Sequence, residues 1–183
     1  MRKILISFIC ISFSIGFGYV YSSSLHTHDA HNHLAAGIQS ESTAEELSIP
    51  ELIVKGIVIE ELPEVRRETG IYNPKVDTSY LVSPVKVKIE EVISGDLVEN
   101  EITYLQRTES TDKIKTDDEV VLMLNRTSDN FYWSYNFNDG IWQVDNNGIV
   151  SSSSESKMLK GFKDTDATEF VEEIKEELNN SIE

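Results

Sequence analysis

The chain has 183 residues, with 32 Asp or Glu against 16 Lys or Arg, which gives a formal net charge of −16. A surface this acidic repels nucleic acid and anionic lipid headgroups, so we expect no nucleic-acid partner. The only cysteine is Cys10, so the chain beyond it has neither an internal disulfide nor a thiolate metal site.

The N-terminal segment carries the clearest signal in the sequence. Arg2 and Lys3 precede an almost unbroken apolar run from Ile4 to Tyr21, and three serines follow. This order is typical of a signal peptide or an N-terminal membrane anchor. As a helix the run spans about 27 Å, between the usual lengths of the two classes. Residues 1–24 therefore predict export. The protein is then either secreted after cleavage or anchored at the extracellular face, with its N-terminus in the cytoplasm.

Cys10 lies inside the apolar run. Ile9 stands where a bacterial lipoprotein signal requires a small residue, so a buried apolar cysteine is the simpler interpretation. Small secreted animal domains usually rely on disulfides. Their absence here favours an exported bacterial protein.

Residues 25–49 are small and polar, and they predict a flexible linker. They contain every histidine of the chain: His26, His28, His31 and His33. In an extended backbone the first two point the same way, and the other two could close on the same ion across a bend. Neutral imidazoles suit zinc, copper or nickel. Two hypotheses stay open: a divalent-metal site, and a spacer that binds metal only incidentally.

The pattern becomes β-rich after the linker. The apolar residues of 52–59 predict a first strand, with a bulge or bend at Gly56. Residues 63–79 are polar and predict a loop or a frayed edge. Tyr80 to Val92 alternates apolar and polar side chains, which indicates a half-buried strand. Glu91 breaks this alternation and predicts a change of register.

The second half continues with short strands. Strand or turn signals lie at 101–105, Val120–Leu124 and Asn146–Gly148. The continuous apolar run in the middle of these predicts a strand covered on both faces. The Asn-Asn-Gly sequence predicts a hairpin, because these residues tolerate positive φ. Asp166 and Glu169 have capping-box spacing and predict an amphipathic helix over about 166–178, docked on the sheet.

We expect residues 50–183 to form one mainly β domain with one core: a small antiparallel barrel with a C-terminal helix. The N-terminal apolar helix and the linker precede it. The strand and turn order at 53–58, 85–96, 102–104 and 120–124 resembles small exported bacterial β-barrel domains. These are similar to the oligonucleotide/oligosaccharide-binding barrel in the form found in tissue inhibitors of metalloproteinases. The resemblance covers residues 50–150 and implies a fold. Those inhibitors act through an N-terminal cysteine and disulfides, which this domain lacks, so it does not imply protease inhibition.

The aromatic and Asn-rich stretch 131–142 is the candidate ligand site. Trp133, Tyr135 and Trp142 could stack on a sugar ring, with Asn138 as a polar partner. The alternative is that alternate aromatic side chains fill the barrel core while the Asn-Asp-Gly sequence turns the chain.

We expect no catalysis. All histidines lie in the predicted linker, so a Ser-His-Asp or Cys-His arrangement lacks a base on a rigid frame. No phosphate-binding loop is present, and no cofactor is expected beyond a possible divalent ion at the histidines. The sequence predicts an exported binding module whose partner is an envelope or extracellular protein or glycan. The N-terminal helix would hold it to the membrane if uncleaved. Metal binding and glycan binding are the two alternatives.

Overall fold

The computed structural model describes residues 40–69, 75–110 and 112–180. They lie in a compact unit that spans Gln39–Glu183. The predicted N-terminal helix and the four histidines lie outside the described residues. The helices and strands are α1 (Thr43–Leu47), β1 (Leu52–Glu61), β2 (Val65–Glu68), β3 (Ser79–Ser94), β4 (Glu101–Arg107), β5 (Glu119–Arg126), β6 (Tyr132–Ser134), β7 (Ile141–Val144), β8 (Val150–Ser151) and α2 (Ala167–Asn180).

The described strands form one eight-stranded sheet, which confirms the mainly β prediction. β1 pairs antiparallel with β3 on one side and β5 on the other. β4 pairs with β3, and β6 lies between β4 and β5, parallel to β4 and antiparallel to β5. These pairings return to β1 in a closed circuit. β7 and β8 extend the sheet from β5, and β2 pairs with the first residues of β3.

Gly56 lies at a register shift between β1 and β3, which confirms the predicted bulge. A Cβ atom at this position would lie 2.4 Å from the carbonyl oxygen of Lys88. The two backbones can therefore approach this closely only because the residue is glycine.

β3 is 16 residues long and pairs with three other strands. Its register with β1 skips Glu90 and Ile93, so the predicted irregularity near Glu91 is confirmed. Bulges of this kind bend a strand and increase its twist. Residues 79–82 of β3 pair with β2, which lies in the segment predicted as a loop or frayed edge. β2 is short and largely exposed, so it carries little apolar pattern for sequence reasoning to detect.

Val120–Leu124 is fully buried, as predicted for a strand covered on both faces. Alternate side chains of a strand point to opposite faces. Val121 and Met123 accordingly pack in one apolar cluster with α2, while the other three residues pack in a second cluster between the strands. Strand β5 thus joins the two parts of the core.

Helix α2 packs its apolar stripe on the sheet, as predicted, through Phe170, Val171 and Ile174. Asp166 caps its first turn by accepting a hydrogen bond from the Thr168 backbone N–H at 2.8 Å. The predicted hairpin is also present, because β7 and β8 pair antiparallel and Gly148 adopts φ +80°.

The structure shows a helix before residue 50, where the predicted barrel domain begins. Residues of the expected linker form helix α1, capped by Ser42, whose hydroxyl accepts from the Glu45 N–H at 3.1 Å. Leu47 is only 1% exposed and packs in the same cluster as α2. The folded unit therefore includes residues 40–49 of the predicted linker. A helix of five residues is too short to show a helical period in the sequence.

In the described part of the chain, no helix is both long enough and apolar enough to cross a membrane.

Candidate binding groove

Two of the four residues predicted to bind a ligand lie in the core. Trp142 is 0% exposed, its ring centroid is 4.8 Å from that of Phe170, and its Nε1–H donates to the Asp139 carbonyl at 2.9 Å. Tyr135 is 7% exposed and its hydroxyl donates to Glu46 at 2.8 Å. Burial, followed by this hydrogen bond, raises the pKa of the Tyr135 phenol. Neither ring is open to a sugar.

The other two residues, Trp133 and Asn138, do not form one binding surface with Tyr135 and Trp142. Trp133 is half-buried and meets Tyr80 edge-on, with ring centroids 6.2 Å apart. Asn138 is exposed beside Phe137, which is 58% exposed at φ +47°. The stretch 131–142 therefore serves mainly the core, which was the alternative interpretation of its aromatic pattern.

The histidine cluster is not among the described residues. Within the ranges that the structure describes, no group of three or more His, Cys, Asp or Glu side chains is placed to hold a metal ion.

The structure instead shows a groove at the end of the sheet where β3 lies between β2 and β4. It encloses about 410 Å³, within the range of small-ligand sites. The lining combines two arginines, two hydroxyl residues, a tyrosine, a leucine and one carboxylate: Arg66, Ser79, Tyr80, Leu81, Arg107, Thr108 and Glu109. None of these residues was selected as a ligand-binding candidate from the sequence.

Strand register brings these residues together. Arg66 on β2 is the cross-strand partner of Leu81 on β3. On the other side of β3, the Thr108 N–H donates to the Leu81 carbonyl at 3.3 Å. These three residues therefore form a row across the groove, with Leu81 in the middle and 42% exposed. Arg107 follows on β4, opposite Val82.

The loop between β5 and β6 contacts and stabilises this end of the sheet. Arg67 lies 2.8 Å from Asp129 in an ion pair, and its guanidinium lies 5.8 Å from the ring centroid of Phe131. The hydrogen bond from Arg67 lowers the pKa of the Asp129 carboxyl, and the same bond raises the pKa of Arg67. Tyr80 packs on Trp133 of β6 at the same place. These contacts with the β5–β6 loop and with β6 therefore stabilise the strands that line the groove.

The two groove arginines differ in their partners. Arg66 donates to Asp77 at 2.8 Å and to the Ser79 hydroxyl at 2.6 Å. Hydrogen bonds from Ser79, and then the charge of Arg66, lower the pKa of the Asp77 carboxyl. Arg107 is exposed, and among the arginines of the described ranges it alone has a side chain that forms no hydrogen bond or ion pair. Its guanidinium is therefore available to a ligand.

No protein-family model matches this chain. No curated protein matches it either. Its function is therefore inferred from the groove, the fold and the signals in the sequence.

Proposed function

We propose that this chain is an exported, non-catalytic binding module that holds a ligand bearing a negative charge in the groove between β2, β3 and β4. The observation that carries this proposal is Arg107, an exposed residue of the groove lining in a strongly acidic protein, whose side chain has no partner among the described residues. Guanidinium groups bind carboxylates and phosphates through two parallel hydrogen bonds.

The proposed architecture is an oligonucleotide/oligosaccharide-binding barrel. Two features support it: the closed circuit of pairings from β1 through β3, β4, β6 and β5, and the single parallel contact between β4 and β6. Barrels of this type bind ligands on the face of their second and third strands and on adjacent loops. In this chain the corresponding strands are β3 and β4, which line the groove.

The groove chemistry supports the proposal of binding without catalysis. The lining offers arginines, hydroxyls and one carboxylate, Glu109, but no histidine or cysteine to act as a base or a strong nucleophile. A module of this kind would use the groove to recognise a partner at the cell envelope.

The test is a two-dimensional NMR titration of the protein with two probes, an acidic peptide and an oligogalacturonate. We expect one of them to shift the amide signals of residues 66, 79–81 and 107–109. Arg107→Ala should weaken that probe by at least about tenfold, because a charge-assisted bidentate contact is lost. Arg107→Lys should weaken it less, since a charge remains.

Lys157→Ala is the matched control. Lys157 is exposed and lies outside the groove, and its replacement by alanine removes the same unit of positive charge. If it weakens binding as much as Arg107→Ala, the effect is one of net charge, and the proposed site is wrong.

Export is proposed from residues 1–24 and has its own test. Mass spectrometry of the protein from fractionated cells gives the mature N-terminus. A start at residues 23–25 indicates cleavage, an intact N-terminus in the membrane fraction indicates an anchor, and an intact soluble cytoplasmic protein would contradict export.

Metal binding at His26, His28, His31 and His33 stays a second proposal. It rests on the histidine spacing alone. Calorimetric titration with zinc and copper tests it, since a functional site should bind below micromolar concentration and should be lost on His→Ala substitution. Millimolar binding would leave these residues as a spacer.

A further inference from the structure

We infer that the ligand of the groove is a uronate oligosaccharide, with a sugar carboxylate on Arg107 and a sugar ring against Tyr80. This inference rests on the proposed function and names the class of its ligand. Three features lead to it: the face of the strands on which Arg107 lies, the aromatic side chains of that face, and a hydrogen-bond acceptor that also lines the groove.

The lining of the groove divides between the two faces of its strands. Arg66, Leu81 and Thr108 share one face, because they are cross-strand neighbours. The polar groups of this face are already bonded. The Ser79 hydroxyl accepts from Arg66 at 2.6 Å, and the Thr108 hydroxyl lies 3.1 Å from the Ser83 hydroxyl. This face therefore offers few free polar groups to a ligand.

The Arg107 face is the opposite face of these strands and of β6. Val82 on β3 is the cross-strand partner of Arg107 on β4. Cross-strand partners share a face, and so do residues two apart along a strand. Tyr80 therefore lies on this face, and so does Trp133, the β6 partner of Leu105. Register thus places an unpaired guanidinium and two aromatic side chains on one surface.

Tyr80 and Trp133 supply an aromatic platform on the Arg107 face. Their rings meet at 86° with centroids 6.2 Å apart, and both side chains are half-buried. In an edge-on pair, the ring that offers its edge keeps both of its own faces clear of the other ring. The pair itself therefore leaves an aromatic face uncovered. Sugar rings carry C–H groups, which pack on the electron-rich face of an aromatic ring.

The guanidinium of Arg107 gives the position of the sugar carboxylate. Its side chain is exposed and forms no hydrogen bond or ion pair with another described residue. Its planar fork of donors matches a carboxylate through two parallel hydrogen bonds. Arg67, on the same face, is held 2.8 Å from Asp129 in an ion pair. An incoming carboxylate therefore gains most at Arg107.

Glu109 favours a sugar acid over other carboxylates. It lines the groove, is exposed, and forms no side-chain hydrogen bond or ion pair within the described ranges. An ionised carboxylate only accepts hydrogen bonds, so it repels an acid that has no hydroxyl to donate and accepts from the hydroxyls of a sugar acid. A uronate chain carries one charge per ring. The net charge of −16 therefore repels it less than it repels a densely charged polyanion.

Three probes are titrated against the full-length protein in detergent: trigalacturonate, its methyl ester, and triglutamate. The ester retains the rings and hydroxyls without the charges, and triglutamate retains carboxylates without the rings. We expect trigalacturonate to bind at the groove, and each of the other two to bind at least about tenfold more weakly. An ester that binds as tightly would contradict the carboxylate contact. Triglutamate that binds as tightly would contradict the sugar assignment.

The two tryptophans provide an internal reference for two-dimensional NMR. Trp133 contacts Tyr80, whereas Trp142 is buried in the core. Binding at the Arg107 face should shift the indole N–H signal of Trp133 and leave that of Trp142 in place. Binding that leaves the Trp133 signal unchanged, or shifts both signals equally, would contradict this position.

Protein variants test the two contacts separately. Arg107→Ala should abolish the preference for trigalacturonate over its ester. Tyr80→Leu should weaken the binding of acid and ester alike, and Tyr80→Phe should retain it, since the ring remains. Leu81→Ala is the control for Tyr80→Leu, because Leu81 lines the same groove on the opposite face, and it should change either affinity by less than about twofold. Equal losses from Leu81→Ala and Tyr80→Leu would contradict the Arg107 face as the binding surface.

The outcomes distinguish this inference from the proposed function. If an acidic peptide binds at the groove through Arg107 and trigalacturonate does not, the groove is a binding site but its ligand is not a uronate. If neither probe perturbs residues of the groove, both the uronate assignment and the proposed function fail.

Discussion

At the scale of single residues, Glu46 is the least expected feature of the chain. Its carboxylate is 2% exposed, although it lies in a segment whose sequence predicts a flexible linker. One oxygen accepts from the Tyr135 hydroxyl and the other from the Ser156 hydroxyl, each at 2.8 Å. Three distant parts of the chain are therefore joined at one buried carboxylate, and these bonds offset part of the cost of removing it from water.

Glu46→Ala should lower the free energy of unfolding by about 1–3 kcal/mol, because it leaves two hydroxyls without their acceptor. Glu46→Gln should cost less, since its amide retains one acceptor oxygen. Urea unfolding followed by circular dichroism measures both. Glu41→Ala is the control, because Glu41 is exposed in the same segment and should change stability by no more than about 0.5 kcal/mol. Equal losses at the two positions would contradict a specific role for the buried carboxylate.

At the scale of elements, two aspartates hold the C-terminal part of the fold by accepting backbone N–H bonds. Asp166 accepts from Thr168 at the start of α2, and these capping bonds lower its carboxyl pKa. Asp145 accepts from Ile149 and Asn147 in the turn between β7 and β8, which lowers its pKa as well. In each case the charged form is the one that the fold favours.

The two shifts predict acid sensitivity. An aspartate whose folded pKa lies below the unfolded value of about 3.9 stabilises the fold above that pH. The stabilisation is lost as the pH falls through the folded pKa. Asp166→Asn retains a capping side chain but cannot titrate, so its plot of unfolding free energy against pH should be shallower than the wild-type plot below about pH 4. Carboxyl NMR titration should place the Asp166 pKa below its usual range.

Asp96→Asn is the matched control for this experiment, because Asp96 is exposed and lies outside the helices and strands. A wild-type pH profile for Asp166→Asn, together with a normal carboxyl titration at Asp166, would show that the cap is not formed in solution.

At the scale of the whole molecule, the position of α1 changes where the folded unit begins. Leu47 packs with residues of α2, and Thr43 donates its hydroxyl to the Met158 carbonyl at 3.3 Å. The unit therefore starts near Gln39 and not at the start of β1.

Deletion of residues 1–38 should leave thermal stability unchanged, whereas deletion of residues 1–49 should lower it strongly. The loss of Leu47 alone is expected to cost about 2–5 kcal/mol, because its side chain is fully buried. Leu47→Ala in the longer chain isolates that contribution. Calorimetry of the three proteins measures the difference, and equal melting temperatures for the two deletions would show that α1 is dispensable.

The signals that correctly predicted structure are local ones. The apolar run Val120–Leu124, the alternation before Glu91, the turn at Gly148 and the stripe on α2 each follow from the period of one element. A strand buried on both faces has a continuous apolar sequence, and a helix with one buried face has an apolar stripe. Both can therefore be recognised from the sequence of the element alone. The mainly β class and these elements were therefore predictable, together with the bulge at Gly56, whereas α1 and β2 were not.

The groove, and the burial of aromatic side chains in residues 131–142, depend on the tertiary structure and could not be predicted from the sequence. Arg66, Leu81 and Thr108 become neighbours through cross-strand register, and that register depends on bulges and pairings between distant segments. Trp142 is buried because α2 packs over it, which no pattern within residues 131–142 records. The sequence by itself determined an acidic, β-rich chain, and its first 24 residues predict export. Which side chains are left exposed together, and so what the protein can bind, depended on long-range pairing, because exposure is a property of the assembled sheet and helix.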